Sequence, residues 1–313
     1  MVTTGTSARR PGSGAAVVPP AGVHGGDGAA VAAALGVAAH EVLDLSASLN
    51  PVAPDPRPVV ARHLDSLTRY PDPGRATAAL AAAMDVDPER VLLTNGGAEA
   101  IALVASVLGG HVDEPEFSLH PRGPGGSGPR WRSNPHNPTG RLAASEERAG
   151  VWDEAFYPLA AGRWTRGDVD AVVVGSLTKV FACPGLRMGY VVADAPLLYE
   201  LRKLQPAWSV SGPAAAALPD LLSSADLQGW AAEVRTLRIE LTALLEEHGL
   251  APLPSDANFV LCGNAPGLRA RLIPERVVVR DCASFGLPDH ARVAVPDRAG
   301  LRRVAAALER TAR

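Results

Sequence analysis

Ser176-Leu177-Thr178-Lys179, followed by Pro184-Gly185-Leu186-Arg187-Met188-Gly189-Tyr190, sets a lysine, two hydroxyls and an arginine on one turn. Ahead of them runs Ala171-Val172-Val173-Val174-Gly175, an apolar, β-branched stretch that reads as a buried strand. The four residues after it therefore lie at the carboxyl edge of a sheet, where α/β folds bind ligands. A lysine that is desolvated there, or placed near another cation, holds its amine neutral and can condense with an aldehyde. Arg187 offers a planar fork to a phosphate dianion, and Ser176 and Thr178 offer hydroxyl donors to the same group. Taken alone, so short a pattern also fits a solvated lysine and an arginine in a structural ion pair.

Further clusters accompany it. Gly96-Gly97-Ala98-Glu99 follows the apolar run Val91-Leu92-Leu93-Thr94 and opens an alanine-rich helix, so free backbone N–H groups at Gly97 and Ala98 point at whatever anion binds there. An ordinary turn has the same composition. Also present are Arg69-Tyr70-Pro71-Asp72-Pro73, Ser133-Asn134-Pro135-His136-Asn137-Pro138-Thr139-Gly140 and Asp153-Glu154-Ala155-Phe156. Together these motifs resemble the fold-type-I pyridoxal 5'-phosphate (PLP) enzymes of the class I/II aminotransferase group, from about His24 onward. Two more stretches, His24-Gly25-Gly26-Asp27 and Val279-Arg280-Asp281-Cys282-Ala283-Ser284-Phe285-Gly286, are similar to the threonine-phosphate decarboxylase branch of cobalamin biosynthesis, a near relative of histidinol-phosphate aminotransferase.

The resemblance implies a role for each matched residue. Lys179 and Asp153 are the catalytic pair, with Asp153 holding the proton on the PLP ring nitrogen. Gly97, Ala98, Glu99, Ser176, Thr178 and Arg187 hold the cofactor phosphate, Phe117 stacks on the ring, and Asn137 donates to the ring oxygen. Arg292 clamps the substrate α-carboxylate, and Arg280, with His24, suits a substrate phosphate; Asn50 also falls on the substrate side. Tyr70 reaches into the site of a second copy, which implies a homodimer. Phe156 stands where the commonest aminotransferase pattern has a tyrosine, and phenylalanine there is a trait of the decarboxylase-like branch.

The elements that must position these residues are legible in outline. The chain's 313 residues, 47% of them hydrophobic, suffice for a large core in two domains. Residues 1–22, rich in Gly, Ser, Pro and Thr, read as a disordered tail, 23–50 as an N-terminal arm, 51–210 as a large PLP-binding domain and 211–313 as a small α+β domain. Strands are expected over 91–94, 171–175, 188–193, 258–262, 277–280 and 291–295, with a weak strand signal at 149–152 before Asp153. Helices are expected over 98–108, 196–204, 213–222, 227–248 and 298–310. The fold class is α/β, a fold-type-I transferase with a mixed or parallel large-domain sheet.

That sheet reads as shortened. Relatives carry a helix and a strand between Phe117 and Asn134, whereas Pro121 to Pro129 is turn material. A parallel crossover needs a dozen or more residues, so one α/β unit is expected to be missing. The stretch from Gly140 to Asp153 is short as well.

Composition sets the outer limits. A net charge of -3 provides no basic field for nucleic acid or anionic lipid, and no apolar run approaches a membrane span. Cys183, Cys262 and Cys282 are too dispersed for a disulfide framework or a metal site, and no metal is expected. A reducing cytoplasm is the expected setting. The reading is a PLP-dependent aminotransferase-family enzyme acting on a small, phosphorylated amino acid, with L-threonine O-phosphate decarboxylation as the nearest specific reaction. A non-catalytic relative that keeps the fold is the alternative, and the shortened sheet speaks for it.

Overall fold

A computed structural model describes residues 19–167 and 170–311. Of the stretch expected as a tail, 1–18 lies outside the described residues, while 19–22 is held by the carbonyl oxygens of Pro19, Pro20 and Gly22, which accept from Arg269 and Arg280. In chain order the strands are β1 Leu43–Leu45, β2 Val91–Asn95, β3 Trp131–Ser133, β4 Val151–Asp153, β5 Val172–Ser176, β6 Met188–Val192, β7 Ala251–Pro252, β8 Phe259–Gly263, β9 Val277–Asp281 and β10 Ala291–Ala294. They form two five-stranded sheets, ordered β2-β6-β5-β4-β3 and β1-β9-β10-β8-β7.

The first sheet is apolar on both faces, because both are covered by helices. Successive side chains point to opposite faces. Accordingly Val91, Leu93, Trp152, Val173, Tyr190 and Val192 enter one cluster with the helices Gly74–Met84 and Gly212–Ser223. Leu92, Val151, Val174 and Val191 enter another with Ala100, Ile101, Leu103 and Val104 of helix Gly96–Leu108. In the second sheet Val277 and Val279 face the core and Val278 faces Val31, Ala32 and Val42.

Helix Leu227–Glu247 joins the two cores. Its first turn places Trp230 in the first cluster, and Leu237, Leu241 and Leu245 lie in the second. Helix Gly212–Ser223 packs against helix Gly74–Met84 in the first cluster although it follows residue 210, where a change of domain was expected. Between helix Gly96–Leu108 and β3 the only regular piece among the described residues is the 3-10 turn Pro124–Gly126, and no helix forms between β3 and β4. Irregular chain therefore stands where an α/β unit was expected to be missing. Among the described residues, no helix is long and apolar enough to cross a membrane, and all three cysteines are buried and unpaired.

Gly175 has a packing reason to be glycine, since a Cβ there would run into the ring of Tyr190 on the neighbouring strand. Tyr190 is fully buried and cannot swing out. Gly175→Ala is expected to destabilise the fold by about 1–3 kcal/mol through overpacking. A urea unfolding midpoint unchanged from wild type would contradict this.

Candidate active site

Strands β3, β4 and β5 are parallel, and β2 runs the same way because β6 lies antiparallel between it and β5. Four carboxyl ends therefore open on one edge, and antiparallel β6 begins there. The consequence is convergence of sequence-distant residues: Gly96 and Gly97 follow β2, Asn134 to Asn137 follow β3, Asp153 ends β4, Ser176 to Lys179 follow β5, and Arg187 precedes β6. The second sheet adds Arg280 on β9 and Arg292 on β10, which are cross-strand partners. Residues from both sheets line a cavity of about 570 Å³, within the ~300–1,000 Å³ usual for small-ligand sites.

Lys179 projects into this cavity from the short helix Leu177–Val180 and donates to the Ala47 carbonyl at 2.8 Å. Burial, reinforced by the charges of Arg292 and Arg187, brings its pKa down to about 8 against the opposing pull of Asp44 and Asp153. The chain's other lysine, Lys203, is exposed and paired with Glu200. Beside Lys179, the hydroxyls of Ser176 and Thr178 lie 2.8 Å apart, and Gly97 and Ala98 present the first turn of helix Gly96–Leu108. Arg187 passes over Gly96 so closely that a Cβ at that glycine would meet the guanidinium. Two hydroxyls, a helix N-terminus and an arginine make a donor set for a phosphate. An aldehyde-bearing aromatic phosphate fits the whole arrangement.

At the far side of the cavity Asp153 accepts from Ala155 N–H through Oδ1, and its Oδ2 lies 3.0 Å from His120 Nε2. His120 is buried between the rings of Phe117 and Trp131. Sequence reading missed it; its only signal was a histidine three residues after the candidate stacking residue Phe117. Asn137 Oδ1 accepts from Arg292 Nη1 at 2.7 Å, and the Arg292 guanidinium lies over the Phe259 ring at 4.6 Å, with Phe156 at 6.0 Å.

Arg280 and Arg292 are both buried, and neither has a carboxylate partner among the described contacts. Arg292 donates to Asn137 and to the Ser46 carbonyl, whereas Arg280 donates to Ser284 Oγ and to the carbonyls of Gly22 and Val23. The Nε of each is buried with no hydrogen-bond partner. Desolvation lowers the pKa of both, that of Arg292 to about 10. Asp27 pairs with Arg269 instead of with His24, whose Nδ1 lies 3.3 Å from Ser118 Oγ.

Three expected site residues lie elsewhere in this chain. The Glu99 carboxylate turns away from the cavity to accept from Asn95 N–H, Gln205 and Ser209. Asn50 ties its amide to the Val180 carbonyl and accepts from Val52 N–H, bracing the lysine turn from behind. Tyr70 is 77% exposed and stacked on Trp208. For Lys179, a pKa of about 8 means that the amine is protonated below that pH and free above it. Uptake of PLP by the ligand-free protein should therefore accelerate about tenfold per pH unit up to about 8 and then level off; a rise that continues to the ordinary lysine range, ~10.4, would contradict this.

The family profile described as "Aminotransferase class I and II" matches residues 131–308. The threonine-phosphate decarboxylase of Salmonella typhimurium (strain LT2) is 30% identical over 353 residues, covering 91% of this chain and 95% of the relative. Histidinol-phosphate aminotransferase 1 of Dechloromonas aromatica is 26% identical over 335 residues, covering 88% and 91%. Both alignments are longer than the 313-residue chain, so this chain lacks segments that those relatives have. The histidinol-phosphate aminotransferase from Sinorhizobium meliloti, solved in complex with PLP, shares the fold with a TM-score of 0.79 at 17% identity, over 90% of this chain and 94% of that one. By the profile match and the Salmonella relative, the chain belongs to the class I and II aminotransferases, enzymes of the PLP fold type I, and PLP is its cofactor.

Proposed function

We propose that this enzyme acts on a small phosphorylated amino acid, with Lys179 as its catalytic amine and L-threonine O-phosphate as the substrate its arginines suit. The observation that carries this reading is the Arg280–Arg292 cross-strand pair. Two buried guanidinium groups without a carboxylate, each with an unpaired Nε, call for two anionic groups on one ligand. Threonine phosphate has both an α-carboxylate and a phosphate, whereas histidinol phosphate has only the phosphate. The two named relatives leave both reactions open, as one is a decarboxylase and the other an aminotransferase.

In this reading Gly97, Ala98, Ser176, Thr178 and Arg187 hold the cofactor phosphate. Asp153, itself held by His120, keeps a proton on the ring nitrogen, Asn137 donates its amide to the ring oxygen, and Phe117 lies against the ring. When bound, PLP supplies an aldehyde that captures the substrate amine and a ring that takes up the electron pair of the bond broken at the α-carbon. The amine of Lys179, neutral above about pH 8, is the base that moves a proton at that carbon. Arg292 takes the α-carboxylate, and Arg280 with His24 takes the phosphate. The exposed Tyr70 is assigned to the cofactor phosphate of a second copy, making the working unit a homodimer.

PLP titration of purified protein is expected to produce a visible absorption band that Lys179→Ala abolishes without loss of fold. L-Threonine O-phosphate is expected to perturb that band and release carbon dioxide. Amino transfer from either phosphorylated substrate without carbon dioxide would assign the aminotransferase reaction instead. A protein that takes up no PLP at any concentration would favour a non-catalytic scaffold, the reading that the missing α/β unit supports.

A further inference from the structure

The irregular segment 109–130 brings Phe117 to the cavity and His120 behind Asp153 without a helix to hold them. On its outer side Arg122 pairs with Glu114 and also donates to the carbonyls of Glu116, Phe117, Ser118 and His120, while Arg130 pairs with Asp113. Its inner contact is different. Glu116 is buried, and its carboxylate takes three donors: Oε1 accepts from Phe117 N–H at 2.8 Å and from Ser133 Oγ at 2.6 Å, and Oε2 accepts from Ser133 N–H at 2.9 Å. Two of the three come from the end of β3, which is paired with β4 at Asp153.

Charge-assisted donors of this kind offset the cost of burying a carboxylate and fix its neighbours in place. One turn further on, His120 Nδ1 lies 3.9 Å from Glu116 Oε1, and its Nε2 lies on Asp153. The other titratable or charged groups nearby are His136, whose Nε2 is 3.9 Å from Oε2, Arg132, which is engaged with Glu147, and Glu114 and Arg122, which bond the Glu116 backbone N–H and carbonyl. None of them hydrogen-bonds the Glu116 carboxylate among the described contacts.

We propose that Glu116 is a positioning residue that takes over the work of the missing helix and strand. It staples 114–120 to β3, so that Phe117 faces the ring site and His120 stands behind Asp153. The assignment rests on the cavity's being the PLP site proposed above. The arrangement calls for an acceptor at both side-chain oxygens, which a carboxylate provides. A glutamine would turn its NH2 towards either the Ser133 or the Phe117 N–H, setting donor against donor. Glu116→Gln thus removes the staple while keeping the volume.

The test has two arms on the full chain. In the protein without PLP, hydrogen exchange over 114–120 should be about tenfold faster or more in Glu116→Gln, as the loss of a charge-assisted hydrogen bond implies, with helix Leu227–Glu247 unchanged. Unaltered exchange over 114–120 would overturn the proposal. With PLP, Glu116→Gln should raise the Kd about tenfold or more and lower the visible circular dichroism per bound PLP, which reports how firmly the ring is oriented. A variant with wild-type Kd and dichroism would also overturn it. Ser133→Ala should move both readouts in the same direction, and the double variant should lose less than the sum of the two. Should the wild type bind no PLP, the preceding assignment fails, and the exchange arm alone decides whether Glu116 holds the segment.

Discussion

A lysine amine is buried in a cavity beside two guanidinium groups, and much of the chain serves that arrangement. Removing a cation from water is unfavourable, and setting it beside Arg187 and Arg292 adds repulsion. The amine responds by giving up its proton near pH 8, the state in which it can act as a nucleophile or base. The surroundings keep this from being ruinous. The Ala47 carbonyl accepts from Nζ, and Asp153 and Asp44 add opposing charge. Asn50 of the arm donates to the Val180 carbonyl behind the lysine turn, and Asn258 donates to the carbonyls of Ser48 and Leu49 in the arm. Two sheets supply these groups: the parallel ends of the first bring the cofactor side together, and the paired β9 and β10 bring the arginines.

Much of this was legible in the residues. Runs of β-branched residues such as Val172-Val173-Val174 are strong strand signals, and the strands expected over 91–94, 188–193, 277–280 and 291–295 match β2, β6, β9 and β10 to within two residues. Helix Leu227–Glu247 was evident because its apolar spacing extends over 21 residues. Strands β1 and β3 were not, because three residues carry too little periodicity to register, and their pairing is decided by tertiary context. The site followed the same rule. Lys179, Asn137, Asp153, Arg187 and Arg292 sit in motifs that survive as short sequence, and the structure brings all five to one cavity. Glu99 was expected for its place at a helix start, where the backbone N–H groups are free; its side chain is drawn off by Gln205 and Ser209. His120 and Glu116 escaped because their meaning depends on contacts with Asp153 and Ser133, which no local pattern announces.

The shortened sheet need not cost the cavity its shape. What a helix does by packing, the 109–130 segment does with polar contacts, among them the Glu116 carboxylate and the Arg122 guanidinium, and with the buried His120 ring tilted against Trp131. Such a solution is more sensitive to single substitutions than a packed helix, because a few hydrogen bonds replace many apolar contacts. Lys179, Asn137, Asp153, Arg187 and Arg292 all line the one cavity beside it.

The most direct test of the account is to treat the protein with PLP, reduce it with borohydride and map the modified residue by peptide mass spectrometry. With only two lysines in the chain the outcome is unambiguous. The account predicts stoichiometric label on Lys179. Label confined to the exposed Lys203, or none at all, would contradict it.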